Sequence, residues 1–316
     1  MSSGENVLTG TYSLPRPDGH VVNGNVWRPE GDVRAVVLIA HGLAEHIDRY
    51  DRFARALTDA GYMVAGHNHR GHGEDAKSAG TLGHFANENG WALMVEDLRA
   101  AMANLRELAP EVPAVLFGHS MGSFMVQDAL GKWPGEFGPA ILSGTSGPPP
   151  AIAALGRLIC RVEKMRVGGA GQSGLLHKMA FGDFNKSFKP ARTDLDWLSR
   201  DEGEVDKYIN SDLCGFVCSV QSWSDLLSAL PNLTSDIHIA RLDGGKPVYM
   251  FSGGRDPVGG NGKGVRALEK IYRRQGVTDI AVTIYEDGRH EMLNEINRDQ
   301  VVAELLNWLD GALGDR

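Results

Sequence analysis

Residues 114–123 read AVLFGHSMGS. The first part, AVLFGHS (114–120), is a short apolar run of strand character, and MGSFMVQDALGKWP (121–134) continues with helical spacing. At their junction Gly118-His119-Ser120-Met121-Gly122 fits G-x-S-x-G. Five residues with two glycines arise often by chance; a strand before them and a helix after them do not. A strand that turns directly into a helix strains the backbone of the serine, and the flanking glycines allow the chains to pack closely. Ser120 Oγ is then presented above the carboxyl ends of the strands, where open α/β sheets bind ligands. The reading is a nucleophile.

Outward from this junction, strands alternate with helices. AVVLIAHG (35–42) is a buried strand, followed by a helix in DRYDRFARALTDAG that Gly61 stops. YMVAGHNH (62–69) is the next strand, and WALMVEDLRAAMANLRELAP (91–110) is an amphipathic helix ended by Pro110. PAILSGT (139–145) follows the serine helix as a further strand. The rhythm stops at SGPPP (146–150) and resumes with KPVYMFSGG (246–254), the helix GVRALEKIYRRQG, the strand DIAVTIYEDG (279–288) and a terminal helix VVAELLNWLDGAL. The pattern predicts an α/β fold with a mostly parallel sheet covered on both faces. Residues 1–147 and 236–316 form its core, and 148–235 form a helical insertion at one end.

A serine hydroxyl needs a base within about 3 Å to take its proton. On a fold of this kind the order is serine, acid, histidine, each after a later strand. His177 lies in the insertion and His238 precedes its strand, which leaves His290, directly after DIAVTIYEDG, as the base. Asp256 in VYMFSGGRDPVGG follows the preceding strand and is the expected acid, to hold the imidazole in one tautomer. Asp287 lies too near the histidine, and Asp243 lies before the strand. The oxyanion needs two backbone N–H groups. Met121 supplies one at a helix N-terminus, and Leu43, after the 35–42 strand, is expected to supply the other.

These residues stand in motifs with a recognisable order. HGLAEHIDRY, HRGHG, GHSMGS and GRHEMLNE resemble, in sequence and spacing, the α/β-hydrolases of the monoacylglycerol lipase-like group, which includes lysophospholipase-like and serine aminopeptidase-like members. The resemblance implies the α/β-hydrolase fold, Ser120, Asp256 and His290 as a triad, Leu43 and Met121 as the oxyanion hole, and 148–235 as a lid. The chain departs from the group at Asn68, where an acidic residue is usual before HRGHG, and at Ser123, where glycine is usual.

Histidine is dense around HNHRGHG (67–73) and His41, which raises the question of a metal. Imidazoles at such spacing do not converge easily on one ion, so a hydrogen-bonded scaffold around the oxyanion loop is expected, with Glu45 and Arg49 as an ion pair. No metal and no cofactor are expected. GAGQSG (169–174) matches a dinucleotide fingerprint but no strand precedes it. GGNGKG (259–264) lacks the outer positions of a phosphate loop and instead shapes the loop around Asp256.

The chain has 316 residues, 42% of them hydrophobic, enough for a substantial core. A net charge of −8 argues against nucleic acid as a partner. Cys160, Cys214 and Cys218 are too few for a disulfide framework; Cys214 and Cys218, four apart, share a face if helical. With neither a signal peptide nor an apolar run of about 20 residues, the expectation is a cytoplasmic protein without an integral membrane segment. No amphipathic segment with a basic face stands out.

The expected activity is hydrolysis of a carboxylic ester through an acyl-enzyme on Ser120, with a small ester carrying an apolar acyl chain as partner. Trp197, Phe216 and Trp223 are the insertion residues proposed to line an acyl pocket. A thioesterase or an aminopeptidase on the same triad is the alternative. The latter needs an acidic group for the substrate's amine, from Glu163, Asp183 or Glu204. From a different class, a non-catalytic ligand-binding protein would share the fold.

Overall fold

A computed structural model describes residues 8–150 and 152–314. Two strands, β1 (Leu8–Pro15) and β2 (Val21–Arg28), lead into β3 (Ala35–Ala40), α1 (Asp51–Asp59), β4 (Tyr62–His67), α2 (Gly73–Ser78), α3 (Gly90–Leu108), β5 (Ala114–His119), α4 (Met121–Lys132) and β6 (Ala140–Ser143). Five helices then leave the sheet: α5 (Ile152–Val167), α6 (Gly174–Phe181), α7 (Glu202–Ile209), α8 (Val220–Leu233) and α9 (Asp236–Ile239). The chain returns through β7 (Val248–Gly253), α10 (Lys263–Arg274), β8 (Ile280–Tyr285) and α11 (Arg298–Leu313).

The eight strands form one sheet in the order β1-β2-β4-β3-β5-β6-β7-β8. From β4 to β8 every pairing is parallel, while β1–β2 and β2–β4 are antiparallel. The fold is the α/β-hydrolase type expected. Strands β3, β4 and β5 are buried along their whole length. Their side chains alternate between two cores, which is why they read as unbroken apolar runs. Val36, Leu38 and Ala40 pack with Met94, Leu98 and Met102 of α3 on one face. Val37 and Ile39 pack with Phe53 and Leu57 of α1 and with Leu305 and Leu309 of α11 on the other.

Two expectations change. Cys214 and Cys218 lie in the loop between α7 and α8, not on a helix, and all three cysteines are free. An amphipathic helix with basic residues is also present after all: α5 turns Ile152, Leu155, Leu158, Val162 and Met165 outward, with Arg157 and Arg161 on the same helix. Its apolar face is divided between the surface and the contact with α8, which blurs the pattern in the bare sequence.

Candidate active site

The turn from β5 into α4 is built as the G-x-S-x-G pattern requires. Ser120 sits at φ 51°, ψ −119°, a conformation that costs a non-glycine residue about 1–3 kcal/mol. A Cβ on Gly118 would lie 2.4 Å from the Gly122 carbonyl oxygen, and one on Gly122 would lie 2.0 Å from the carbonyl oxygen of Ala40. Gly118 therefore lets α4 close onto β5, and Gly122 lets it close onto β3. Ser120 Oγ makes no hydrogen bond among the described residues.

Asp256 and His290 reach the same place from the ends of β7 and β8. Asp256 is fully buried; its Oδ2 accepts from Ser252 Oγ at 2.9 Å and its Oδ1 from the Val258 amide at 2.9 Å. His290 Nδ1 lies 3.0 Å from Asp256 Oδ1, in a contact bent off the straight hydrogen-bond line. Burial opposes charge on His290, but the Asp256 carboxylate, with smaller help from Glu291 and Glu45, more than offsets it and holds the imidazole above its ordinary value. The Asp256 carboxyl is in turn held below its ordinary value: burial raises it, and the histidine and its hydrogen bonds lower it further.

A cavity of about 220 Å³ brings Ser120 and His290 together with Leu43, Trp197, Phe181, Leu195, Leu198 and Val258. Trp197 packs 5.1 Å from the His290 ring, centroid to centroid. Phe216 and Trp223 lie elsewhere: Phe216 packs on His72 at 5.2 Å, and Trp223 stands behind the wall residue Phe181 at 5.8 Å. His177, set apart by its place in the insertion, also lines the cavity, yet its buried Nδ1 has no hydrogen-bond partner among the described residues. Glu163, Asp183 and Glu204 do not line it; each is paired with a cation, Arg166, Lys186 and Arg52 respectively.

The amides of Leu43 and Met121 donate no hydrogen bond among the described residues, so both remain available beside Ser120. The turn that carries Leu43 is tightly held. The Gly42 amide donates to Glu45 Oε1 at 2.5 Å, and the Ala44 amide donates to His72 Nε2 at 3.2 Å. His72 Nδ1 lies 2.9 Å from the Arg70 carbonyl, so it carries the proton there and leaves Nε2 as the acceptor. His41 works alike: its Nδ1 meets the Gly42 carbonyl at 2.8 Å while Nε2 accepts from the His69 amide at 3.1 Å. Both rings spend both nitrogens on backbone, which leaves a metal no lone pair from either. Burial holds His41 and His69 well below the ordinary histidine value and His67, His72 and His119 near about 4, so the cluster is neutral.

Glu45 pairs with Arg49, whose guanidinium also grips Glu291 through two bonds of 2.8 and 2.6 Å. Glu291 follows His290, and no signal in the sequence joins it to Arg49, 242 residues away. The two departures are accommodated. Asn68 Oδ1 accepts from the Ile47 amide at 3.0 Å, which a neutral amide serves as well as a carboxylate. Ser123 Oγ donates to the Ser120 carbonyl at 2.6 Å and lies 2.8 Å from Thr145 Oγ1.

This arrangement can be set beside known proteins. Residues 31–297 match the model of the family described as serine aminopeptidase, S33. The chain belongs to the S33 family. Among relatives of this S33 hydrolase are a monoacylglycerol lipase of Mycolicibacterium smegmatis, 28% identical over 90% of this chain and 91% of that protein, and the human monoglyceride lipase, 25% identical over 94% and 89%. A thermostable carboxyl esterase from Bacillus coagulans, solved in complex with glycerol, shares the fold with a TM-score of 0.90 at 24% identity, over 97% of this chain and 99% of that one. Among the described residues, no helix of the S33 hydrolase is long and apolar enough to cross a membrane.

Proposed function

We propose that this S33 hydrolase cleaves carboxylic esters through an acyl-enzyme on Ser120. The observation that carries the reading is that His290, 3.0 Å from the buried Asp256, opens with Ser120 into one mainly apolar cavity. His290 takes the Ser120 proton as Oγ attacks the ester carbonyl. The amides of Leu43 and Met121 stabilise the oxyanion. The tetrahedral intermediate collapses, His290 protonates the leaving alcohol, and the acyl group stays on Ser120. Water then attacks with His290 as base, and the acid product leaves as the proton returns to Ser120.

The segment 148–235 is the lid in this reading, and Trp197 is its contribution to the acyl wall. The relatives named as lipases of monoacylglycerol and the small cavity support a single-chain ester as substrate. An aminopeptidase would need a free carboxylate for the substrate's ammonium. Glu163, Asp183 and Glu204 are paired elsewhere, and Glu45 and Glu291, which do line the cavity, are bonded to Arg49.

The test is hydrolysis of p-nitrophenyl esters from acetate to palmitate by the wild type and by Ser120→Ala. Activity lost by at least about a thousandfold in the variant supports the reading. A folded wild type that cleaves no member of the series overturns it, and aminoacyl amides and thioesters are then the substrates to try.

A further inference from the structure

The turn carrying Leu43 is held from the insertion as well as from the core. Ala44 lies in the left-handed region at φ 57°, which an alanine does not adopt without support. Its amide is bound by His72, a core residue. Its carbonyl oxygen accepts from two groups of the insertion, the Tyr208 hydroxyl at 2.8 Å and the Gly215 amide at 2.9 Å. Tyr208 is buried on α7, with its ring 4.9 Å from the Arg49 guanidinium. Arg49 in turn holds Glu45, the acceptor of the Gly42 amide. Arg52 ties the same helix to the core through Glu204 at 2.9 Å. Burial keeps the phenol protonated, so it remains a donor.

We propose that Tyr208 is a positioning residue: through the Ala44 carbonyl, the insertion holds the Leu43 amide in register with Ser120. The proposal rests on the reading of Leu43 as an oxyanion donor. It adds that the donor is complete only while α7 is seated. Leu43 and Ala44 are consecutive, so a turn released at the Ala44 carbonyl relaxes toward negative φ and rotates the neighbouring peptide planes. Gly215 keeps its own bond to the carbonyl when the phenol is lost, so the expected effect is smaller than the hundredfold or more that follows outright loss of an oxyanion donor.

The experiment uses the full chain as wild type, Tyr208→Phe, Ala44→Gly and the double variant. Two quantities are read: the second-order rate of Ser120 labelling by a small fluorophosphonate, and kcat and KM on p-nitrophenyl acetate. Tyr208→Phe is expected to lower the labelling rate and kcat about tenfold with KM unchanged. Glycine adopts positive φ without penalty, so in the Ala44→Gly background the same substitution is expected to cost about threefold or less. Unchanged labelling in Tyr208→Phe overturns the proposal. So does a loss confined to KM, which would place the phenol on the substrate, or an equal loss in the glycine background. A wild type that labels but cleaves no ester sinks the ester reading alone, because the labelling rates still decide the role of Tyr208. A folded wild type that does not label overturns both.

Discussion

At the scale of single residues, the chemistry proposed turns on the proton of His290. The base must be neutral to act, and the Asp256 carboxylate holds its value above the ordinary histidine figure of about 6.5. The acid limb of kcat/KM is therefore expected above pH 6.5, with activity falling as the pH drops through it. Asp256→Asn removes the largest charge opposing burial and leaves only the smaller pull of Glu291 and Glu45, so the limb should move to lower pH and kcat should fall by a factor on the order of 10⁴. A pH–rate profile that does not move in this variant would separate Asp256 from the base. The individual roles at this scale differ in how far they are written in the chain. Ser120, Asp256 and His290, the proposed triad, each follow a strand, and the G-x-S-x-G motif together with strand order marks them out. Tyr208 and Glu291 do not: their partners, Ala44 and Arg49, lie 164 and 242 residues away, and no local pattern marks either contact.

At the scale of elements, α4 can approach β3 only because residue 122 lacks a side chain. Gly122→Ala places a methyl group 2.0 Å from the Ala40 carbonyl oxygen, within backbone that cannot step aside cheaply. It is expected to destabilise the protein by about 3 kcal/mol in urea or guanidinium unfolding. Gly311→Ala, in α11 where an added Cβ meets nothing within 4 Å, should leave stability unchanged or raise it by up to about 1 kcal/mol. Equal effects at the two sites would remove the steric account of the motif. The parallel strands are legible for the same reason that the turn is tight: AVVLIA and AVLFGH are buried on both faces and show it as unbroken apolar runs. The antiparallel β1–β2 pair carries no such mark. In β2 the buried Val22 and Val26 alternate with half-buried polar residues such as Asn23 and Asn25, and Gly24 packs under Tyr12. The inner helices of the insertion are blurred likewise, as α5 shares its apolar residues between α8 and the surface.

At the scale of the whole molecule, five buried histidines at the strand ends and in the loops that follow them, His41, His67, His69, His72 and His119, are all shifted downward by burial. Unfolding frees each to bind a proton at any pH between its folded value and about 6.5, so the unfolded chain binds more protons there. Stability is then complete above about 6.5 and is lost as the pH falls through this window, by about 1.4 kcal/mol per pH unit for each histidine. Thermal unfolding is expected to show a steep fall in Tm between pH 7 and pH 5, reversed on returning the unheated sample to neutrality. A flat Tm across that range would mean that the cluster is already charged or solvated. The insertion leaves from β6 and returns into its sheet neighbour β7, so it is a closed loop anchored at two adjacent points. The entropy of closing a loop grows only with the logarithm of its length: halving or doubling this segment of about a hundred residues changes the closure term by only about 0.6 kcal/mol. The length of the segment is thus weakly constrained by stability, while its sequence is held where Trp197, Val205 and Trp223 are buried. The bonds it makes to Ala44, and those its Trp197 and Leu198 carbonyls accept from the His290 and Glu291 amides at 3.3 and 2.8 Å, are where its variation meets resistance.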